Sequence, residues 1–132
     1  MRRETGAQIV IGTLVAGAVI LGLLATGGPQ AGQSEKRDRG RIDDLRALSD
    51  FVRCVAHANN RQLPESLTPD PACSTDVRFD DPHTGSPYRY EKTSANTYRI
   101  CVELEKPDAL RSTHVVNGRL EASTGCATIT YR

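Results

Sequence analysis

The sequence contains no tryptophan and few other aromatic side chains, with two phenylalanines and four tyrosines among 132 residues. A domain folded from this chain must build its core mainly from aliphatic and small residues, and such a core benefits from covalent cross-links. The formal net charge is only +1, and basic and acidic residues are interspersed after Ser34. This pattern lacks the basic patch expected of a nucleic-acid-binding protein, so we expect no nucleic-acid partner.

Motifs for common catalytic chemistries are also absent. The chain has no Gly-x-Ser-x-Gly, no His-Glu-x-x-His and no glycine-rich phosphate loop. Cys54 and His57 have a Cys-x-x-His spacing, but no second close pair accompanies them and no Cys-x-x-Cys occurs. We therefore expect no catalytic residues, no metal site and no cofactor.

Charge is missing from one long segment, since no charged residue occurs between Thr5 and Ser34. Within it, Ala7–Thr26 supplies twenty positions, and a helix of about 20 apolar residues crosses a hydrocarbon core of about 30 Å. The pattern predicts a short tail at residues 1–6, a transmembrane anchor at Ala7–Thr26 and a linker at 27–34. Residues 35–132 then form one further domain.

A cleaved signal peptide is the alternative to an anchor. Arg2 and Arg3 provide a basic start, and Ala25-Thr26-Gly27 resembles a small-residue cleavage site. The apolar segment is longer than the usual signal-peptide core of about 7–15 residues, which favours an uncleaved signal anchor.

The cysteines decide the expected orientation of that anchor. Arg2 and Arg3 favour a cytoplasmic amino terminus, whereas the basic residues just after Ser34 favour the opposite. Four cysteines in a small domain are typical of two disulfides in an oxidising compartment. The expectation is a single-pass protein of the inner (cytoplasmic) membrane, with its carboxyl-terminal domain extracytoplasmic, in a periplasm.

The residues of that domain predict an α+β fold. An amphipathic helix is expected from about Arg41 to Asn59, and the charged run Glu35–Arg41 is expected to be a solvated first turn. Its apolar face comprises Ile42, Leu45, Leu48, Val52 and Val55. Strands are predicted at Val77–Phe79, Tyr88–Glu91, Thr97–Leu104 and Gly125–Tyr131. The segment 107–125 is expected to be a long loop with a weak strand at His114–Asn117.

Four cysteines allow three pairings. Cys54 is near the end of the amphipathic helix, and the chain returns along that helix through Leu63–Leu67 towards Cys73. Cys101 and Cys126 lie on strands of like alternation and can face each other. The preferred pairs are Cys54 with Cys73 and Cys101 with Cys126.

The order of elements resembles the pilin-like proteins, particularly the pseudopilins of type II secretion. The resemblance is carried by Leu63-Pro64-Glu65-Ser66-Leu67 after the helix and by the segment Asp81–Tyr90, which reads DPHTGSPYRY. It implies a long helix packed on a small antiparallel sheet, for which the residue patterns above predict three or four strands. The Glu of the prepilin processing motif is missing, because the fifth residue after Gly6 is Ile11.

These observations lead to two hypotheses of function. The first is a non-catalytic, membrane-anchored protein that binds other envelope proteins, with an unknown oligomeric state. The alternative is a small periplasmic enzyme or ligand-binding module with a site at the sheet and the 107–125 loop. His57, His83 and the Asp80-Asp81 pair are interpreted as helix-end and turn residues, and His114 has no partner nearby in the sequence.

Overall fold

The computed structural model describes residues 2–73, 76–110, 114–115 and 118–132. The chain divides into two compact units, Met1–Ser34 and Glu35–Arg132. Each unit has its own organisation, and the second contains both disulfides and the whole β-sheet.

The first unit consists mainly of helix α1, Arg2–Ala25. Its large apolar side chains are exposed, as shown by Leu21 at 69% and Leu24 at 73%. The hydroxyl of Thr13 donates to the carbonyl oxygen of Ile9 at 2.9 Å, so this polar side chain is satisfied by its own helix. The chain therefore has an amino-terminal helix that is long and apolar enough to cross a membrane.

The first helix stops at the boundary predicted between the anchor and the linker. Helix α1 ends at Ala25, and helix α2 begins at Gly28 and continues to Ala58. The structure differs from a fully irregular linker because residues 28–34 are already helical. Pro29 stands in the first turn of α2, where a missing N–H removes no helical hydrogen bond, so it begins a helix rather than ending one.

Within the second unit, α2 packs its apolar face on the sheet. The buried side chains of α2 include Ile42, Leu45, Leu48, Val52 and Ala56. Sheet residues Tyr98, Ile100, Leu120, Ala127 and Ile129 belong to the same core cluster. Val55 was expected in this face but is only half-buried. The buried face continues from Val52 to Ala56, four positions later, and Val55 therefore lies at its border.

The sheet has five antiparallel strands in the order β1-β2-β5-β4-β3. They are β1 Arg89–Lys92, β2 Thr97–Cys101, β3 His114–Val115, β4 Gly118–Glu121 and β5 Cys126–Thr130. The predicted α+β layout, with its apolar amino-terminal helix, amphipathic helix, antiparallel sheet and two disulfides, is confirmed.

Two strand predictions need correction. Val77–Phe79 forms no strand, and this part of the chain contributes only an isolated bridge between Asp80 and Pro87. Pro82 and Pro87 lack a backbone N–H, and the chain turns between Asp80 and Pro87, so the pairing is not extended into a strand. Beside this bridge, Tyr88 N–H donates to Phe79 O at 2.9 Å.

The segment expected to be one long loop contains the β3–β4 hairpin and a short 3₁₀ turn at Pro107–Ala109. Residues 111–113 and 116–117 of this segment, which include part of the expected strand at His114–Asn117, lie outside the described residues.

Candidate functional site

The most unusual group of side chains is a buried charge cluster near the start of the second unit. Arg41 and Asp38 lie one turn apart on α2, with side chains only 2% and 0% exposed. Arg41 Nη1 donates to Asp38 Oδ1 at 2.8 Å and to Glu105 Oε1 at 2.9 Å. Because isolated buried charges are costly, these groups are stable in the interior only as a set.

Asp81 completes the surroundings of Arg41. Arg41 Nε donates to Asp81 Oδ2 at 2.7 Å, and the carboxylate of Asp81 is 4% exposed. The other carboxylate oxygen of Asp81 accepts the backbone N–H of His83 at 2.8 Å. The backbone of Asp81 accepts from Gly85 N–H at 2.8 Å, so the ion pair fastens a closed turn to α2.

Asp38 joins α2 to the segment that follows β2. Its two carboxylate oxygens accept the backbone N–H groups of Glu105 and Lys106 at 2.9 and 2.7 Å. Arg37 reinforces the contact by donating Nη2 to Glu105 Oε2 at 2.7 Å. The cluster therefore connects three pieces of chain: the helix, the turn around Asp81 and the segment around Glu105.

The electrostatics of the cluster keep Arg41 and Asp81 charged. Burial acts to lower the pKa of Arg41, but hydrogen bonds to Asp81, Asp38 and Glu105 outweigh it and raise that pKa. Burial acts to raise the pKa of Asp81, yet the N–H of His83 and the guanidinium of Arg41 hold it below its usual value. Groups that stay in one charge state are suited to a structural role and not to proton transfer.

This cluster corrects the expectation that Glu35–Arg41 forms a solvated turn. Asp38 and Arg41 are buried because their partners come from residues about 40 and 65 positions later, which no local pattern shows. One signal was available in the sequence. Arg41 stands four residues before Leu45 and seven before Leu48, so it continues the apolar stripe towards the start of the domain.

The cysteines form the two pairs that the sequence analysis preferred. Cys54 is joined to Cys73, and Cys101 to Cys126, with Cα–Cα distances of 5.9 and 4.0 Å. Cys101 and Cys126 stand directly opposite each other on β2 and β5. The first bridge ties the irregular chain after α2 back to that helix, and the second fastens neighbouring strands at the centre of the sheet.

The remaining residues singled out from the sequence are not brought together. His57 is exposed in the last turn of α2, and His83 is exposed in the turn after Asp81. Asp80 bridges Pro87, while Asp81 is buried against Arg41. The side chain of His114 lies outside the described residues. Among the described residues, no three His, Cys, Asp or Glu side chains are grouped to hold a metal ion.

Two tyrosines that follow the turn after Asp81, Tyr88 and Tyr90, form hydrogen bonds through their hydroxyl groups. Tyr88 Oη donates to Asp44 Oδ2 at 2.9 Å, and Tyr90 Oη donates to Pro64 O at 2.7 Å. Burial, followed by the charge of Glu65, raises the pKa of Tyr90 to about 12, so this phenol remains protonated at neutral pH. Both hydroxyls serve as donors that join sheet-side residues to α2 and to the chain after it.

Two surface depressions on the second unit are lined by charged side chains of both signs. One of ≈ 230 Å³ lies where the turn after Asp81 meets β2, with Arg89 and Glu103 on its wall. Another, of ≈ 470 Å³, falls in the described part of the 107–125 segment and carries Arg119 and Glu121. Each depression therefore has at least one basic and one acidic side chain in its lining.

Comparison of the chain with models of protein families, with curated proteins and with solved structures found no match. The exposed apolar helix α1 and the disulfide-bonded domain are therefore the two features of the chain that bear on its function.

Proposed function

We propose that this chain is a single-pass membrane protein whose α+β domain lies on the extracytoplasmic side and binds other envelope proteins without catalysing a reaction. The observation that carries the proposal is the exposed apolar surface of α1 in the same chain as two disulfides. An exposed helix of this composition is stable in hydrocarbon, where its backbone is satisfied internally.

The disulfides support the location of the domain. Structural disulfides form and persist in oxidising compartments, and they are rare in the cytosol. With the amino terminus in the cytoplasm, α1 inserted as a signal anchor would deliver the second unit to the outer side. The proposed location is therefore the inner membrane, with residues 35–132 in the periplasm.

The pilin-like resemblance forms a further part of the proposal. A long helix packed on a small antiparallel sheet supports it. Because the prepilin Glu is missing and Ile11 stands in its place, we propose the fold relationship and the membrane context, without processing by a prepilin peptidase and without fibre assembly.

Reporter fusions test the topology. Alkaline phosphatase fused after Arg132 should be active, because this reporter needs the oxidising side of the membrane. A fluorescent protein that matures only in the cytoplasm, fused at the same position, is the matched control and should stay dark. An inactive phosphatase with a bright fluorescent fusion would reverse the orientation.

Intact-mass measurement of the membrane-extracted chain distinguishes the alternatives at the amino terminus. An uncleaved anchor keeps residues 1–34, prepilin-like processing removes residues 1–6, and signal-peptide cleavage removes the apolar segment up to about Gly27. We expect the uncleaved chain, and we expect it to remain with the membrane after carbonate extraction. Release of a shortened chain into the soluble fraction would contradict the anchor.

Binding to envelope proteins requires a surface-dependent test. The sheet face opposite α2 is the exposed polar face, and Arg99 and Arg119 lie on it, both in register with Thr128. The tagged full chain should retain a defined membrane partner that Arg99→Glu releases. Arg53→Glu, on the exposed side of α2, is the matched control and should retain that partner. Equal recovery by both variants would contradict a specific contact at the sheet.

A further inference from the structure

The outer edge of β1 has backbone groups directed away from the sheet. Thr93, one residue after β1, donates its N–H to Thr97 O at 2.9 Å, which makes these two residues a hydrogen-bonded pair that continues the β1–β2 ladder. In an antiparallel ladder such pairs alternate, so Arg89 and Glu91 bond towards β2. Tyr90 and Lys92 therefore direct their N–H and C=O groups outward.

The neighbouring residue confirms this alternation. Tyr88 has the same parity as Tyr90, and its N–H bonds outward to Phe79 O at 2.9 Å. Beyond that rung, no backbone hydrogen bond within the described ranges reaches Tyr90 or Lys92 from outside the sheet. The open edge is thus limited to Tyr90–Lys92.

The side chains beside this edge carry opposite charges. Arg89 and Glu91 are two residues apart on β1, so they share the face opposite α2, and both are exposed. Neither forms an ion pair with another described residue. Lys92, on the opposite face of the strand, is by contrast paired with Glu65.

We propose that β1 pairs with β1 of a second copy of this chain, antiparallel, about a two-fold axis at Tyr90. In that register the N–H of Tyr90 donates to the carbonyl of the partner's Tyr90, and the reverse bond forms as well. Arg89 then stands opposite the partner's Glu91, and Glu91 stands opposite the partner's Arg89. A two-fold contact needs a self-complementary surface, and this charge pair supplies one.

The charges also select this register over its neighbour. An axis at Glu91 would place Glu91 opposite the partner's Glu91, and like charges directly opposite are destabilising. Pairing stops at Arg89, because the N–H of Tyr88, which would face the partner's Lys92, is already bonded to Phe79 O. The interface is short, so the association is reversible and depends on concentration. It goes beyond the proposed role and does not rest on the identity of an envelope partner.

The test measures association of the full chain in density-matched detergent by sedimentation equilibrium over a concentration series. Arg89→Glu places a glutamate opposite the partner's Glu91 at both ends of the contact. Glu91→Arg places an arginine opposite the partner's Arg89 at both ends. Each single reversal should weaken dimerisation about tenfold, because two ion pairs become two repulsive contacts. The double variant Arg89→Glu/Glu91→Arg restores both pairs and should recover wild-type association.

Two control variants distinguish pairing at this edge from association through β4 or through α1. Arg119→Glu changes the same charge on β4, three strands away, and should leave dimerisation unchanged. Gly22→Ile replaces one of the small residues of α1 through which membrane helices can associate, and it should also leave dimerisation unchanged. A wild-type chain that is monomeric throughout, a dimer lost only with Gly22→Ile, or a double variant that fails to recover while retaining its thermal transition would overturn the proposal.

Discussion

The guanidinium of Arg41 donates from Nε to Asp81 Oδ2 at 2.7 Å, although forty residues separate the two along the chain. Both side chains are almost completely buried. Together they fix the position of the turn around Asp81 against the beginning of the domain helix. The stability of the domain should therefore respond strongly to either residue.

Arg41→Ala is predicted to destabilise the domain by about 3–5 kcal/mol, because it leaves Asp38 and Asp81 buried without their cation. Arg46→Ala is the matched control, since Arg46 forms an exposed pair with Asp43. It should cost less than about 1 kcal/mol. Urea unfolding of the full chain in detergent, followed by circular dichroism, measures both. Similar losses for the two variants would show that the buried cluster is not stabilising.

The lowered pKa of Asp81 predicts an acid-sensitive contribution to stability. A carboxyl group whose folded pKa lies below its unfolded value stabilises the fold above the unfolded pKa, which is about 3.9 for Asp. This contribution is constant from neutral pH to about pH 5 and is lost as pH falls further, through the folded pKa. Unfolding free energies measured against pH should show that fall.

Asp81→Asn removes this titration, so its stability should change less below about pH 4 than that of the wild type. Asp43→Asn, at an exposed position, keeps the Asp81 titration and should follow the wild-type curve. Parallel curves for wild type and Asp81→Asn across the acid range would refute the assigned shift.

Gly125→Ala is predicted to lower the free energy of unfolding of the domain by about 1–3 kcal/mol or more. Gly125 has φ +66°, and a Cβ added there would collide with the carbonyl oxygen of Val102. The same two residues are joined by the hydrogen bond from Val102 N–H to Gly125 O at 2.8 Å, so neither can move away easily.

The matched control for Gly125 is Gly40→Ala, in α2, where an added Cβ meets nothing within 4 Å. Alanine is favoured over glycine in a helix interior, so this variant should gain about 0.5–1 kcal/mol. Thermal unfolding distinguishes the two, and a stabilising Gly125→Ala would mean that the turn has another conformation.

Removing either disulfide should lower stability by roughly 3 kcal/mol in the chain-entropy model. The bridged residues are 19 positions apart for Cys54–Cys73 and 25 apart for Cys101–Cys126, so similar losses are expected. Each cysteine pair is replaced by alanine and the full chain is unfolded in urea. Non-reducing peptide mapping of the wild type checks the connectivity, and a Cys54–Cys101 or Cys54–Cys126 peptide would contradict it.

Local patterns were sufficient for the domain helix and for the strands that pair at the centre of the sheet, β2 and β5. The spacing of Leu45, Leu48 and Val52 predicts the buried helix face, and the alternation of Tyr98 and Ile100 predicts β2 with its inward side. The cysteine pairing also followed from the expected course of the chain. The helix face and the strand depend on residues close to one another in sequence, for which periodicity is informative.

The buried charge cluster and strand β4 were not predicted, because both depend on contacts between residues that are distant in sequence. Asp38 and Arg41 look like members of a solvated charge run until the turn at Asp81 and the backbone of Lys106 are placed beside them. The Gly118–Glu121 strand escaped prediction because four residues containing a glycine and two charges have weak strand character. Its pairing with β5 stabilises it, and that partner follows later in the chain.

The sheet order has a consequence for how the domain is made. Strand β5, Cys126–Thr130, is the last in sequence but the middle one in space, between β2 and β4. A chain interrupted before Cys126 would leave β1–β2 and β3–β4 as two separate hairpins with no shared partner and an incomplete surface beneath α2. The domain can therefore assemble only after its final strand has been synthesised, and until then the incomplete chain needs protection from aggregation.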